Sequence, residues 1–354
     1  MRIKINKTII DNKSKTYFIA DIGANHEGSI QRAKKLIKLA AISGADAAKF
    51  QHFKADTIVN KSEFNKRKKT AHQSKWKSSV YDVYKNASIN NNWNKSLQDE
   101  CKKYQIDFLT SAYDLQYIDD VNKFIPAYKI GSGDITWKES LIKIAKKKKP
   151  VILATGASNI NEVINAFNII YKYNKKIILM QCNTNYTASI DNFNYINLNV
   201  LKQFKSIFKE KIILGLSDHT HGHTTVIGAV TLGAKVIEKH FTDNNSRNGP
   251  DHKFAMDPLS WRLMVEETRK LEKALGNGKK KVENNEKSSL FVQRRSVYAL
   301  RKIKKGEVIK KDDLICLRPF VKNSISPIDV NKIIGKKIKI KLEKNKVLKK
   351  KWII

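Results

Sequence analysis

Acid is what this sequence is short of. Its 354 residues carry 33 Asp and Glu against 69 Lys and Arg, a formal net charge of +36 at pH 7. Taken alone, that excess points to a polyanionic partner. The basic residues, however, run along the whole chain mixed with Asn and Ile, as in KIAKKKK (143–149) and KIKKGEVIKKDD (302–313). Spread of this kind describes a solvated surface that steers anions, and no nucleic-acid partner is expected. Cysteine is scarce as well: Cys101, Cys182 and Cys316 are odd in number and lack CxxC spacing. That excludes a disulfide framework and fits a reducing compartment. No apolar run approaches the roughly 18 residues of a membrane span, and residues 1–15 lack the apolar core of a signal peptide. The expectation is a soluble, cytoplasmic protein.

What is present is an alternation of strand and helix. Short apolar strands fall near residues 18, 48, 108, 129, 152, 178, 213 and 236, with helical spacing between most of them. After the first strand, Ser29 caps a helix whose apolar positions are Ile30, Ala33, Leu36, Ile37 and Ala40, and Gly44 stops it. Eight β-α units in about 260 residues predict a TIM (β/α)8 barrel. A doubly wound sheet is the alternative, but no G-x-G-x-x-G follows the first strand. Segment 52–87, dotted with His52, His72, Trp76, Tyr81 and Tyr84, is too long for a simple connection and reads as an active-site loop or lid. The barrel domain is set at 1–275 and a polar linker at 276–289. A small β-rich module of short pieces follows at 290–354.

Residues 212–252 hold five of the eight histidines. His219 stands just past one strand and His240 just past the next, so a parallel β-α-β connection brings both imidazoles to one end. Imidazole is a ligand for first-row divalent ions; loop histidines without a shared task are the plainer alternative. The other strand ends carry Asp21, Lys49, Gln51, Thr110, Ser111, Lys129, Ser132, Asp134, Thr184, Tyr186, Ser217 and Glu238. Two lysines directed into a barrel need an anion. Either an internal carboxylate such as Asp21 supplies it, or a ligand bearing phosphate and carboxylate does.

The motifs IADIGANHEGS, GADAAKFQ, AYKIGSGD, ILATGAS, GLSDHT, IEKHFT and GPDHKFAMDP, in this order, resemble the sialic acid (nonulosonate) synthase family over nearly the whole chain. RRSVYALRKIKKGEVIKKDDLICLRP, SISP and IIGKK resemble the antifreeze-like (SAF) domain that ends such synthases. The resemblance implies condensation of phosphoenolpyruvate with the aldehyde of an N-acyl hexosamine to a nine-carbon 2-keto acid, with release of phosphate. Another phosphoenolpyruvate-condensing or aldolase-type barrel is the alternative. The resemblance assigns phosphoenolpyruvate to Lys49, Gln51, Thr110, Lys129, Ser132, Thr184, Tyr186 and Ser217. It assigns a divalent metal, Mn²⁺ with Mg²⁺ or Co²⁺ as substitutes, to His219 and His240, and proton handling to Asp21 and Asp134. The sugar falls to Asp251 and to Arg318, the latter reaching across a homodimer from the antifreeze-like domain. The chain departs from the family at ADIG and SGD, where Asp21 and Asp134 replace glutamates. It departs also at CNTNYTAS, with Thr187 for proline, and at LRPF, with Phe320 for glycine. N-acetylmannosamine, a diacetamido-trideoxyhexose and a phosphorylated sugar all remain open as acceptors.

Overall fold

The computed structural model describes residues 1–66, 73, 76 and 78–354; His72 of the long insert lies outside them. The chain forms two compact units, 1–276 and 277–354.

The first unit begins with an antiparallel hairpin, β1 (Arg2–Ile5) and β2 (Thr8–Asp11), joined at Asn6. Eight parallel strands follow: β3 (Tyr17–Asp21), β4 (Ala47–His52), β5 (Asp107–Ala112), β6 (Tyr128–Ile130), β7 (Val151–Ala154), β8 (Ile177–Cys182), β9 (Ile213–Asp218) and β10 (Val236–His240). They close in sequence order, β10 pairing β3. This is the barrel the alternation predicts.

Side chains alternate along each strand, and the two faces build two cores. Outward residues such as Phe18, Phe50, Phe108, Tyr128, Leu179 and Ile237 pack under the helices. Inward residues Tyr17, Ile19, Ala47, Leu109, Ile152, Ile178, Met180, Ile213 and Val236 form a second cluster with Ile3, Ile5 and Ile10 of the hairpin. The hairpin therefore floors the barrel, which the sequence reading did not anticipate. Further along several strands the inward residues turn polar: Lys49 and Gln51 follow Ala47, and Glu238 and His240 follow Val236.

Local signals behave as read. Ser29 accepts from the Arg32 amide and caps helix Ile30–Ile42, whose Ala33, Leu36, Ile37 and Ala40 are buried. Gly44 ends the turn at φ +95°. The described part of the insert holds helices Ala55–Ile58, Lys61–Lys66 and Val80–Ala87, the last capped by Ser79. Among the described residues no helix is long and apolar enough to cross a membrane.

The second unit packs Val297, Ala299, Ile303, Ile309, Ile325, Ile333, Ile338, Leu342 and Leu348 around the antiparallel pair β11 (Ser296–Ala299) and β12 (Leu314–Leu317). Further pieces of this module are single bridges, Ile338 to Ile353 and Val347 to Tyr298. The segment read as a linker contains a 3-10 turn, Asn284–Glu286, and the start of helix Lys287–Gln293.

Ile5 is fully buried in the floor, and such Ile→Ala truncations cost about 2–5 kcal/mol. Ile5→Ala is expected to lower the barrel's thermal midpoint by several degrees, measured by circular dichroism. An unchanged midpoint would show that the hairpin does not seal the barrel.

Candidate active site

The polar strand ends enclose a cavity of about 440 Å³. Asp21, Lys49, Gln51, Lys129, Ser132, Asp134, Thr184, Tyr186, Ser217, His219, His240 and Asp251 all line it. One residue grouped with them from sequence lies elsewhere. Thr110 alternates outward on β5, where its hydroxyl meets His52 Nδ1 at 2.7 Å, and His52 Nε2 meets Asn94 at 2.6 Å. The inward hydroxyl of that strand belongs to Ser111, one residue on. Arg318 is an exposed residue of the second unit, following β12.

Register explains who meets whom. Across the closing seam His240 lies opposite Asp21, which in turn lies opposite Lys49. Lys49 Nζ is 2.7 Å from Asp21 Oδ2 and 3.8 Å from Glu238. Lys129 Nζ stands 3.3 Å from the same Glu238 oxygen, which also accepts from Ser217 Oγ at 3.2 Å. Both lysines are buried, at 1% and 3% exposure. Lys49 thus takes the internal-carboxylate option that the sequence left open. Burial works to raise the Asp21 carboxyl, but the charges of Lys49 and His240 bring it down to about 2. Burial also acts to lower Lys49, and Asp21 with Glu238 more than reverses that.

The histidines face each other with ring centroids 5.4 Å apart, edged by Tyr186 and Phe254. His219 Nδ1 is held by the Asn183 carbonyl at 2.7 Å, which fixes its ring. His240 Nε2 lies 3.3 Å from Asp21. Its Nδ1 is buried without a hydrogen-bond partner, 3.7 Å from Asp251 Oδ2. Gly23 clears that space: a Cβ there would stand 2.5 Å from Asp251 Oδ2 and 3.1 Å from His240 Nδ1. Two convergent imidazoles, one with an unpaired nitrogen over a glycine-lined gap, fit a metal whose remaining ligands are not protein. Among the described residues no group of three or more His, Cys, Asp or Glu side chains could hold an ion by itself.

Sequence reasoning missed several contributors. Tyr113 and Cys182 line the cavity, and Phe254 packs on both histidines. Asp218 and Lys239, opposite each other on the outward faces of β9 and β10, form a buried ion pair. Thr220 and Thr225 hydroxyls and the Thr220 carbonyl complete it. Only the SDHT and EKH spelling, with each histidine next to a charge, could have signalled that pair.

With this geometry in view, the comparisons with known proteins agree in direction. The description NeuB family matches residues 36–280, and a SAF domain matches residues 294–353. The chain belongs to the NeuB family. It is 38% identical to N,N'-diacetyllegionaminic acid synthase of Campylobacter jejuni, covering 91% of this chain and 95% of that protein. The protein of the same name from Legionella pneumophila is 36% identical, over 96% of this chain and 95% of that one. The N-acetylneuraminic acid synthetase structure from Leptospira borgpetersenii superposes with a TM-score of 0.72 at 25% identity, covering 82% of this chain and 95% of that one. The barrel and the SAF module are thus shared with sialic-acid-type synthases of this family.

Two further carboxyls of the NeuB-type cavity titrate unusually. Burial pushes Asp134 up to about 6, against the pull of Lys129. Burial pushes Asp251 up to about 6 as well, opposed by the Ala24 amide and reinforced by Asp21. A raised carboxyl stabilises the fold fully below its ordinary value near 3.8, and that contribution is lost as pH rises toward 6. Asp134→Asn is therefore expected to raise the thermal midpoint at pH 8 and to leave it nearly unchanged at pH 4. Equal shifts at both pH values would show that the carboxyl is not held up.

Proposed function

We propose that the chain is a nonulosonate synthase that joins phosphoenolpyruvate to the open-chain aldehyde of an N-acyl hexosamine, giving a nine-carbon 2-keto acid and inorganic phosphate. The observation that carries this reading is a single cavity with two buried lysines in its wall and two facing histidines beside them. Membership in the NeuB family supports it.

Lys49 and Lys129 bind the phosphate and carboxylate of phosphoenolpyruvate, with Gln51, Ser132, Thr184 and Ser217 donating around them and Tyr186 closing the wall. Asp21 and Glu238 hold the ammonium groups in place beforehand, so little reorganisation accompanies binding. A divalent metal on His219 and His240, Mn²⁺ by preference, would supply Lewis-acid polarisation of the aldehyde oxygen. Asp251, fixed by the Ala24 amide at 2.9 Å, orients the acceptor through its hydroxyls. Carbon 3 of phosphoenolpyruvate bonds to the aldehyde carbon, and water adds to carbon 2. The resulting tetrahedral centre expels phosphate by carbon–oxygen cleavage. Asp134, poised at about 6, is suited to pass the protons of these steps near neutral pH.

Phosphate release from phosphoenolpyruvate with a panel of N-acyl sugars and Mn²⁺ tests the reading. Turnover should vanish with chelator, His240→Ala should weaken Mn²⁺ binding at least tenfold, and Lys49→Met should raise KM for phosphoenolpyruvate. A rise confined to the sugar KM would overturn the lysine assignment.

We propose further that the enzyme is a homodimer in which Arg318 of one protomer completes its partner's sugar site. A module of about 65 residues has a small core, and a planar guanidinium suits an acyl carbonyl. Mixing His240→Ala with Arg318→Ala under subunit exchange should restore part of the activity, because one site per heterodimer regains both residues. No recovery despite demonstrated exchange would mean that each chain closes its own site.

A further inference from the structure

A second, larger cavity of about 1040 Å³ continues outward from the first. Ala24, Val83, Tyr186 and Pro250 belong to the walls of both. An acceptor with its aldehyde at His219 and His240 therefore extends its other end into this outer chamber. What that end meets is set by the charges on the chamber wall.

Among the described residues the cation best shaped for a phosphate there is Arg247, and it is already engaged. Its Nε and Nη2 donate to the two oxygens of Glu27, at 2.9 and 2.7 Å, in a two-pronged pair. Glu27 itself is held firmly. Its Oε1 also accepts from His252 Nε2 at 3.0 Å, and His252, fully buried, is anchored through Nδ1 to the Thr242 hydroxyl at 2.7 Å. The Glu27 backbone sits at φ +51°, a region uncommon for a side-chain-bearing residue. The neighbouring Arg32 gives no spare charge, because two of its nitrogens are bound to Asp243 at 3.1 and 2.7 Å. Among the described residues, the other cation on the wall is the exposed Lys253, a single point charge.

An arginine whose fork is filled by a carboxylate cannot offer that fork to a phosphate, and the carboxylate repels the dianion. We infer that the acceptor is unphosphorylated at the end remote from its aldehyde, and that Glu27 enforces this choice by occupying Arg247. The inference rests on the synthase reading above and specifies its substrate class: an N-acyl aminohexose whose far end is a hydroxyl or a methyl group. Replacing Glu27 by glutamine keeps the shape and an acceptor oxygen for His252 and Arg247 while removing the charge.

Two measurements test this on the full-length protein. In the first, kcat/KM is compared for N-acetylmannosamine and its 6-phosphate. The wild type should favour the unphosphorylated sugar at least tenfold, and Glu27→Gln should shrink that preference at least tenfold. In the second, calorimetry follows binding of N-acetylmannosamine 6-phosphate alone. Glu27→Gln should bind it at least tenfold more tightly than the wild type, and Glu27→Gln combined with Arg247→Gln should lose the gain. Arg247→Gln by itself should still reject the phosphate, which supplies a second fold-tolerant variant. Equal use of both sugars by the wild type would overturn the inference, as would unchanged binding in Glu27→Gln. Retention of the gain in the double variant would transfer the role to Lys253 and overturn the part given to Arg247. Absence of turnover with every sugar would refute the synthase reading instead, and the binding measurement would still decide the charge argument.

Discussion

Two ammonium groups inside a barrel are the constraint on which this structure turns. Removing Lys49 and Lys129 from water is costly unless opposite charge lies within contact distance. Asp21 and Glu238 provide it, and they can do so only if β3, β4, β6 and β10 keep their register. Charge pairing and strand order are thus mutually dependent: slipping one strand by a residue would send its charged group to the apolar outer face. The same pairing holds both lysine side chains in place at the cavity wall, where an anionic ligand would meet them.

The outward face repeats the device one layer away. Asp218 and Lys239 sit back to back with the polar inward positions, buried beneath the helices with threonine hydroxyls filling the remaining valences. Breaking such a pair leaves an unpaired buried charge, at a cost of about 3–5 kcal/mol. Because the two residues immediately precede His219 and His240, the pair sets the relative height of the histidines without touching anything that enters the cavity. Rigidity is supplied from behind and chemistry is left to the front.

How much of this could be read from the sequence follows from the range of each signal. Ser29, Gly44 and the eight apolar runs act locally, through capping, positive φ and alternation, so helix and strand were legible. The ring of strand-end residues was legible as well, since a closed parallel barrel gathers those ends. Which neighbour faces inward was not always so: Thr110 and Ser111 are both hydroxyls, and only the phase of β5 separates them. Tyr113 reaches the cavity, and Phe254 reaches the two histidines, from loops whose course depends on tertiary packing. The floor of Ile3, Ile5 and Ile10 was hidden because each hairpin arm is only four residues long. The insert's first two helices are only four and six residues long, too short for apolar periodicity to announce them.

The seam between β3 and β10 has one more consequence, for the way the molecule comes together. Asp21 and His240 are register partners across it, yet more than two hundred residues of chain separate them, so this contact is among the slowest to form. Until it does, Glu238 on β10 is kept from Lys49 and Lys129, and the isoleucine floor has no ring to seal. Folding intermediates that lack the seam therefore carry exposed apolar surface and uncompensated positive charge together, a combination that favours capture by other unfolded chains. Completion of the ring hides both at once. Assembly of the polar pocket and escape from aggregation are, for this chain, one event.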